Sequence, residues 1–234
     1  MVQFFTTFLY QPLFNFLVFL YKYTPGHDFG VAVIALTVII KLILYPLGNW
    51  AIKSQKSIAE IQPKVKEIQE KYKNDKERQT KEMLEIYKKY KVNPFSGLLP
   101  ILIQLPILIA LYQVFWQGLN PSQSNLLYTF NDIQEPIRPF FIGLIDLSKP
   151  NLMLAVLAGI LQFFQTKMVA PKLKAAKSGN KDVSNIVQKE MQYLLPVFTV
   201  LILARIPSAL GLYLAVTGLF SIIQQYFVMK NKKV

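Results

Sequence analysis

The stretch Gly30–Trp50, GVAVIALTVIIKLILYPLGNW, decides the fold class. Apart from Lys41 it carries no charge, and it matches the roughly 20 mostly apolar residues that a helix needs to cross a hydrocarbon core. A backbone in lipid must satisfy its own hydrogen bonds, so the segment reads as a helix. Three other stretches are similarly apolar: Pro94–Gly118, Leu152–Ala170 and Met191–Met229. The last is about twice a span in length. It is interrupted at Arg205-Ile206-Pro207-Ser208, which predicts two helices joined by a tight turn. Five transmembrane helices follow. A hydrophobic content of 53% over 234 residues is also high for a soluble domain.

The net charge of +13 is distributed in blocks. Twelve Lys or Arg residues, against seven Asp or Glu, lie in Lys53–Lys91; six lie in Lys167–Lys189 and three from Lys230 onward. Only Lys22, Lys41, Arg138, Lys149 and Arg205 lie elsewhere. In a soluble chain this charge would suggest nucleic acid. Among five spans it is a topology signal instead: basic segments stay in the cytoplasm. The 119–151 loop then faces outside, and the N-terminus is out and the C-terminus in. No DNA partner is expected. Anionic phospholipid or ribosomal RNA could touch the basic segments.

These readings divide the chain into an outer interfacial amphipathic helix (1–29), a first span (30–52), a cytoplasmic helical hairpin (53–93) and a second span (94–118). An extracytoplasmic loop (119–151), a third span (152–170), a cytoplasmic loop (171–190), the fourth and fifth spans (191–229) and a basic cytoplasmic tail (230–234) complete it. Phe4–Tyr21 is long enough to span, yet Gln11, Pro12 and Asn15 and its many aromatics favour an interfacial helix on the outer face. No basic n-region precedes it, so no cleavable signal is expected. In the hairpin, Ile58, Ile61, Val65, Ile68 and Tyr72 follow 3, 4, 3, 4 spacing, and Met83, Tyr87 and Tyr90 continue after Asn74-Asp75. Pro63 is expected to kink the first hairpin helix or to start a new one. The 119–151 loop, with four prolines and Phe130, Phe140 and Phe141, reads as a compact cap. The 171–190 loop is short and basic, with its turn at Ser178-Gly179-Asn180.

Lys41 is the residue that carries chemistry. A lysine at the centre of a span costs about 2.5–3.5 kcal/mol on insertion scales. Its apolar neighbours offset that, but about ten residues to either end is too deep for easy snorkelling. The ammonium is therefore expected to face a hydrated cavity, with Thr37 one turn before it. Gln104 and Gln113, Gln162, Gln165 and Thr166, and Thr217 and Ser221 could supply polar walls from other spans. No Asp or Glu lies within the five spans, so Lys41 has no acidic partner there.

Catalytic signatures are lacking: there is no HExxH, GxSxG, Walker or Gly-rich nucleotide motif. The chain has no cysteine and a single histidine, His27, without companions for a metal. The protein is expected to be no enzyme and to need no cofactor. A small-anion secondary transporter using Lys41, or a purely structural assembly chaperone, remain as alternatives. Five spans without a visible repeat count against the transporter.

Several stretches resemble the YidC family of membrane protein insertases, related to the mitochondrial oxidase-assembly and chloroplast insertases. They are IQPKVKEIQEKYKNDKERQTKEMLEIYKKYKVNPFSGLLPILIQLPILIALY (Ile61–Tyr112), QFFQTKM (Gln162–Met168), LLPVFT (Leu194–Thr199), PSALGLYLAV (Pro207–Val216) and IIQQ (Ile222–Gln225). QPLFNFLVFLYKY (Gln11–Tyr23) and DFGVAVIALTVIIKLILYPL (Asp28–Leu47) resemble the outer interfacial helix leading into the first span. The likeness is to the short form, without the large extracytoplasmic domain of some bacterial members, and it implies a bacterial plasma membrane. It implies a five-helix hydrophilic groove, open to cytoplasm and lipid and closed outside. That groove receives a hydrophilic part of a nascent membrane protein without nucleotide hydrolysis. Lys41 takes the place of the family's groove arginine, Thr37 that of a groove threonine, and Gln104 and Gln165 those of polar positions. Leu214 stands where an aromatic residue often faces the groove. The implied partners are nascent membrane proteins and, beyond them, the ribosome, the signal recognition particle or its receptor, and the Sec translocon.

Overall fold

The computed structural model describes residues 2–93, 95–96, 99–117, 127–128, 137–170 and 183–230. Its N-terminal helical run comprises Val2–Phe5, a π-helical turn Thr6–Tyr10, and α1 (Gln11–Tyr23). Pro12 has no N–H, and just before it the hydrogen-bond ladder slips: the Gln11 N–H donates to the Thr6 carbonyl, five residues back. A short 3-10 turn, Pro25–His27, leads into α2 (Phe29–Ile43). There follow α3 (Tyr45–Lys71), α4 (Lys76–Lys89), α5 (Leu99–Gln117), α6 (Leu152–Val169), α7 (Val183–Leu203) and α8 (Ser208–Lys230). The only strands among the described residues are β1 (Phe140–Phe141) and β2 (Ile145–Asp146), paired antiparallel in the outer loop.

By length and composition, Gln3–Tyr23, Leu152–Val169 and Ser208–Lys230 could each cross a membrane as single helices. The pair α2 and α3 passes together, bent by 67° at Leu44. Leu102–Trp116 and Gln192–Leu203 are shorter apolar helices in the regions expected to hold the second and fourth spans. The tight turn expected near Arg205–Ser208 is present between α7 and α8. α7 starts at Val183, inside the segment expected to be loop, because polar residues extend the helix before its apolar part. Ser178-Gly179-Asn180 lies outside the described residues.

Two expectations about the first span change. It is not one straight helix over 30–52 followed by a separate hairpin. The helix breaks at Leu44 (φ −84°, ψ 3°), two residues before Pro46, and α3 then runs unbroken through Trp50 into the hairpin. Pro46 cannot donate to the Leu42 carbonyl and its ring crowds the preceding turn, so the bend falls here. Pro63, by contrast, starts no new helix: α3 continues past it to Lys71.

α3 and α4 pack against each other. Ile61 and Val65 of the apolar seam are buried, and Gln79 Nε2 donates to the Gln69 carbonyl at 2.7 Å. Arg78 lies over the Tyr72 ring and also pairs with Glu82 at 4.0 Å. Both pairs are exposed enough to add little.

The central core joins α1, α2, α5, α6 and α8 through Phe14, Leu17, Val18, Phe29, Leu36, Leu111, Val114, Ala155, Leu212 and Tyr213. α6 packs on both α7 and α8. Meanwhile α6 and α7 leave Leu152, Met153, Val156, Leu157, Ile160, Phe164, Leu194, Val197, Phe198 and Leu201 exposed. So much outward apolar surface suits a lipid environment.

The 137–151 segment caps one end of the bundle. Asp28 N-caps α2 by accepting from Val31 N, and its other oxygen accepts from Ile142 N. Ser208 N and Ala209 N, at the start of α8, donate to the carbonyls of Lys149 and Leu147. In the β1–β2 turn, Ile142 (φ 52°) and Gly143 (φ 68°) both have left-handed backbone, and Leu144 N donates to Phe141 O. That geometry prefers Asn-Gly, so a β-branched residue at the first position is strained. Ile142→Asn should therefore raise stability by about 1 kcal/mol, measured by unfolding in detergent; a loss of stability would show that the isoleucine side chain contributes more than its backbone costs.

Candidate functional site

Where α2 breaks, its last turn meets α8. Lys41 belongs to that last turn, so it does not sit mid-helix as the sequence suggested. The turn exposes unpaired carbonyls and the negative end of the helix dipole, and a cation there is favoured. The placement reduces the cost of burying a lysine without any carboxylate. The ammonium is half-buried and donates to the Ser221 hydroxyl of α8 at 3.3 Å, and it makes no ion pair among the described residues.

One turn before Lys41, Thr37 is fully buried and donates to the Val33 carbonyl at 2.6 Å, leaving its oxygen able to accept. α8 presents Tyr213, Thr217, Ser221 and Gln224 at spacings of 4, 4 and 3, all buried. Gln104 of α5 donates to the Tyr213 hydroxyl. At the other end of the row, Gln224 Nε2 donates to the Tyr45 carbonyl and to Asn49 Oδ1, each at 2.9 Å. A polar seam thus runs along α8, from Gln104 through Ser221 and Lys41 to the first turn of α3.

Of the residues singled out in the sequence, Lys41, Thr37, Thr217 and Ser221 line the α2–α8 side, and Gln104 reaches the seam through Tyr213. Gln165 is half-buried on α6 and makes no hydrogen bond to this group. Leu214 is half-buried and packs on the apolar core; its neighbour Tyr213 is the aromatic residue in the seam. Thr166 spends its hydroxyl on the Gln162 and Phe163 carbonyls of its own helix. Tyr213, Gln224 and Asn49 were not anticipated. The Tyr213, Thr217, Ser221 and Gln224 spacing is the signal that could have found the first two, because it places four polar groups on one face of an apolar helix. No group of His, Cys, Asp and Glu able to hold a metal occurs among the described residues. The seam offers one cation, hydroxyls and amides, a donor set that can bind a carboxylate or a polar backbone but supplies no nucleophile with an adjacent base.

Several apolar helices of spanning length, packed around a seam of polar groups and one cation, define a helical polytopic membrane protein. The chain belongs to the 60Kd inner membrane protein family, whose model matches residues 19–234. Its relatives there are named membrane protein insertase YidC. The protein of Fusobacterium nucleatum is 37% identical over 227 residues, covering 96% of this chain and 98% of the relative. That of Clostridium tetani is 37% identical over 231 residues, covering 96% and 94%. That of Syntrophus aciditrophicus is 36% identical over 225 residues, and the match takes in only 36% of that longer protein.

Proposed function

We propose that this chain is a membrane protein insertase, which accepts a hydrophilic segment of a nascent membrane protein in a positively charged groove around Lys41. The observation that carries this reading is a half-buried ammonium that, among the described residues, is held by a single serine hydroxyl and paired with no carboxylate. Such a cation can exchange a weak neutral acceptor for an acidic side chain of a guest, so its electrostatic attraction is available to substrate. Gln104 offers a neutral polar group to the same segment, with the buried Tyr213 and Thr37 lining the seam behind, while its apolar part passes to lipid over the outward faces of α6 and α7. No step needs a nucleotide, because the free energy comes from moving apolar residues out of water.

The proposed topology is N-out and C-in, with the α3–α4 hairpin in the cytoplasm, where it meets the ribosome, the signal recognition particle or its receptor, or the Sec translocon. The basic segments lie against anionic phospholipid. The N-terminal helix lies on the outer face. Two bonds support this: Asn15 Oδ1 accepts from Tyr128 N at 2.7 Å and the Tyr21 hydroxyl accepts from Arg138 N at 3.1 Å. Tyr128 and Arg138 thus meet the helix at positions six residues apart, about 9 Å.

The test is a photocrosslinking residue at position 41 in ribosome-bound nascent chain complexes. A stalled membrane-protein substrate is expected to crosslink through its hydrophilic segment. Crosslinks to folded partner proteins alone would point to an assembly chaperone. Uptake of small anions by proteoliposomes, with no effect on insertion, would point to a transporter.

A further inference from the structure

α8 grips the α2–α3 bend on both sides. Before the break, Lys41 reaches Ser221; after it, Tyr45 and Asn49 are held by Gln224, one turn further along α8. The break lies between the two attachments. Within the chain itself it is spanned by Leu44 N to Ile40 O at 3.0 Å and by Gly48 N to Leu44 O at 2.8 Å. Such a joint is easily swung. α3 continues for 27 residues, a lever of about 40 Å at 1.5 Å per residue, and any load on the hairpin is delivered to Leu44.

We infer that Gln224 is a positioning residue for Lys41, acting through this joint. Gln224 is 5% exposed, and its one amide nitrogen serves two acceptors on α3. The fit is close. A methyl group on Gly48 would come within 2.8 Å of Gln224 Nε2 and 3.1 Å of Oε1, so alanine there would push the Gln224 amide out of its present place. The Tyr45 ring also stands edge-on to Phe220, 6.5 Å between centroids, on the turn of α8 between Ser221 and Val216. Losing the Gln224 contacts frees α3 to rotate about Leu44. Because Lys41 lies in the last turn before Leu44, that rotation moves its ammonium and the carbonyls around it. Leucine at 224 is similar in size and apolar, and it can replace neither bond. The inference rests on the reading of Lys41 as the cation that draws acidic segments.

Two measurements separate the parts of this claim. The chain has no cysteine, so spin labels at L42C and K53C report the joint alone. In proteoliposomes the wild-type label pair is expected to give one narrow distance distribution, and Q224L to broaden it at least twofold. An unchanged width in Q224L overturns the inference. The second measurement is the insertion of two reporters that differ only in acidic or neutral residues in the translocated segment. Q224L is expected to lower the acidic-to-neutral ratio at least threefold, toward that of K41A, and the double variant K41A/Q224L to go no lower than K41A. Equal loss on both reporters would make Gln224 a merely structural residue and overturn its role. If K41A leaves the ratio at the wild-type value, the reading of Lys41 itself fails, and the label width still decides whether Gln224 sets the joint.

Discussion

Replacing Lys41 by alanine is expected to reduce insertion of substrates with acidic translocated segments about tenfold, with far less effect on neutral ones. Two unit charges 4 Å apart attract by about 1 kcal/mol in water and about 4 kcal/mol at an effective dielectric of 20. A half-buried ammonium beside a serine lies toward the wetter limit, and about 1.4 kcal/mol corresponds to a factor of ten. Lys41→Arg should keep most of the activity, since it preserves the charge and adds the planar fork that suits carboxylates. Lys41→Glu should fall below alanine, because it repels the same substrates, and should favour reporters carrying lysine instead. The measurement is protease protection of the translocated segment in proteoliposomes. Full-rate insertion of acidic substrates by the glutamate variant would sink the electrostatic account.

How much of this was legible in the sequence differs between long-range composition and local geometry. The apolar blocks of 19 to 39 residues announced helices, because length and polarity alone decide that matter in lipid. Helical spacing picked out Ile61 and Val65 of the hairpin seam, which are buried, and also Tyr90, which is exposed. Lys41 was identifiable as a lone cation among apolar residues. Its true setting was not. The reading placed it in the middle of a span because hydropathy runs continuously from Gly30 to Trp50, and hydropathy does not register that Pro46 interrupts the backbone two residues after Leu44. The polar partners on α8 were half visible: Thr217 and Ser221 stood out as hydroxyls in an apolar helix, whereas Tyr213 was hidden because an aromatic ring in a span reads as apolar. Gln224 could be seen only as an interhelical donor of unknown target, since its acceptors are a backbone carbonyl and Asn49, both about 175 positions away in sequence. Leu214 was singled out through resemblance, and the structure puts the polar contact one residue earlier. Neighbouring side chains on a helix point about 100° apart, which is the difference between the seam and the core.

The second large effect concerns the half of the bundle that holds α8 in place. Gly159→Leu should destabilise the protein by about 2–3 kcal/mol, within the usual range for overpacking. A methyl at Gly159 already overlaps Val200 Cγ2 and lies 3.2 Å from the Pro196 carbonyl oxygen. Val200 is β-branched and stiff in a helix, and the carbonyl belongs to the backbone, so neither can yield cheaply. In lipid, helix association depends on close packing rather than on expulsion of water, which makes that approach hard to replace. Gly211 of α8 provides the contrast. A methyl there meets Leu154 at 3.5 to 3.7 Å, an ordinary contact, so Gly211→Ala should be neutral, or stabilising by up to about 1 kcal/mol through helix propensity. Gly159→Ala involves the same chemical change and should destabilise. Unfolding in mixed micelles by titration with a denaturing detergent measures all three, and equal effects of the two alanine substitutions would show that propensity, not packing, governs these glycines. The surviving Gly159→Leu protein should keep the wild-type preference for acidic over neutral substrates. Gly159 packs α6 against α7, and a loosened support there lowers the amount of folded protein without changing the charge that a substrate meets.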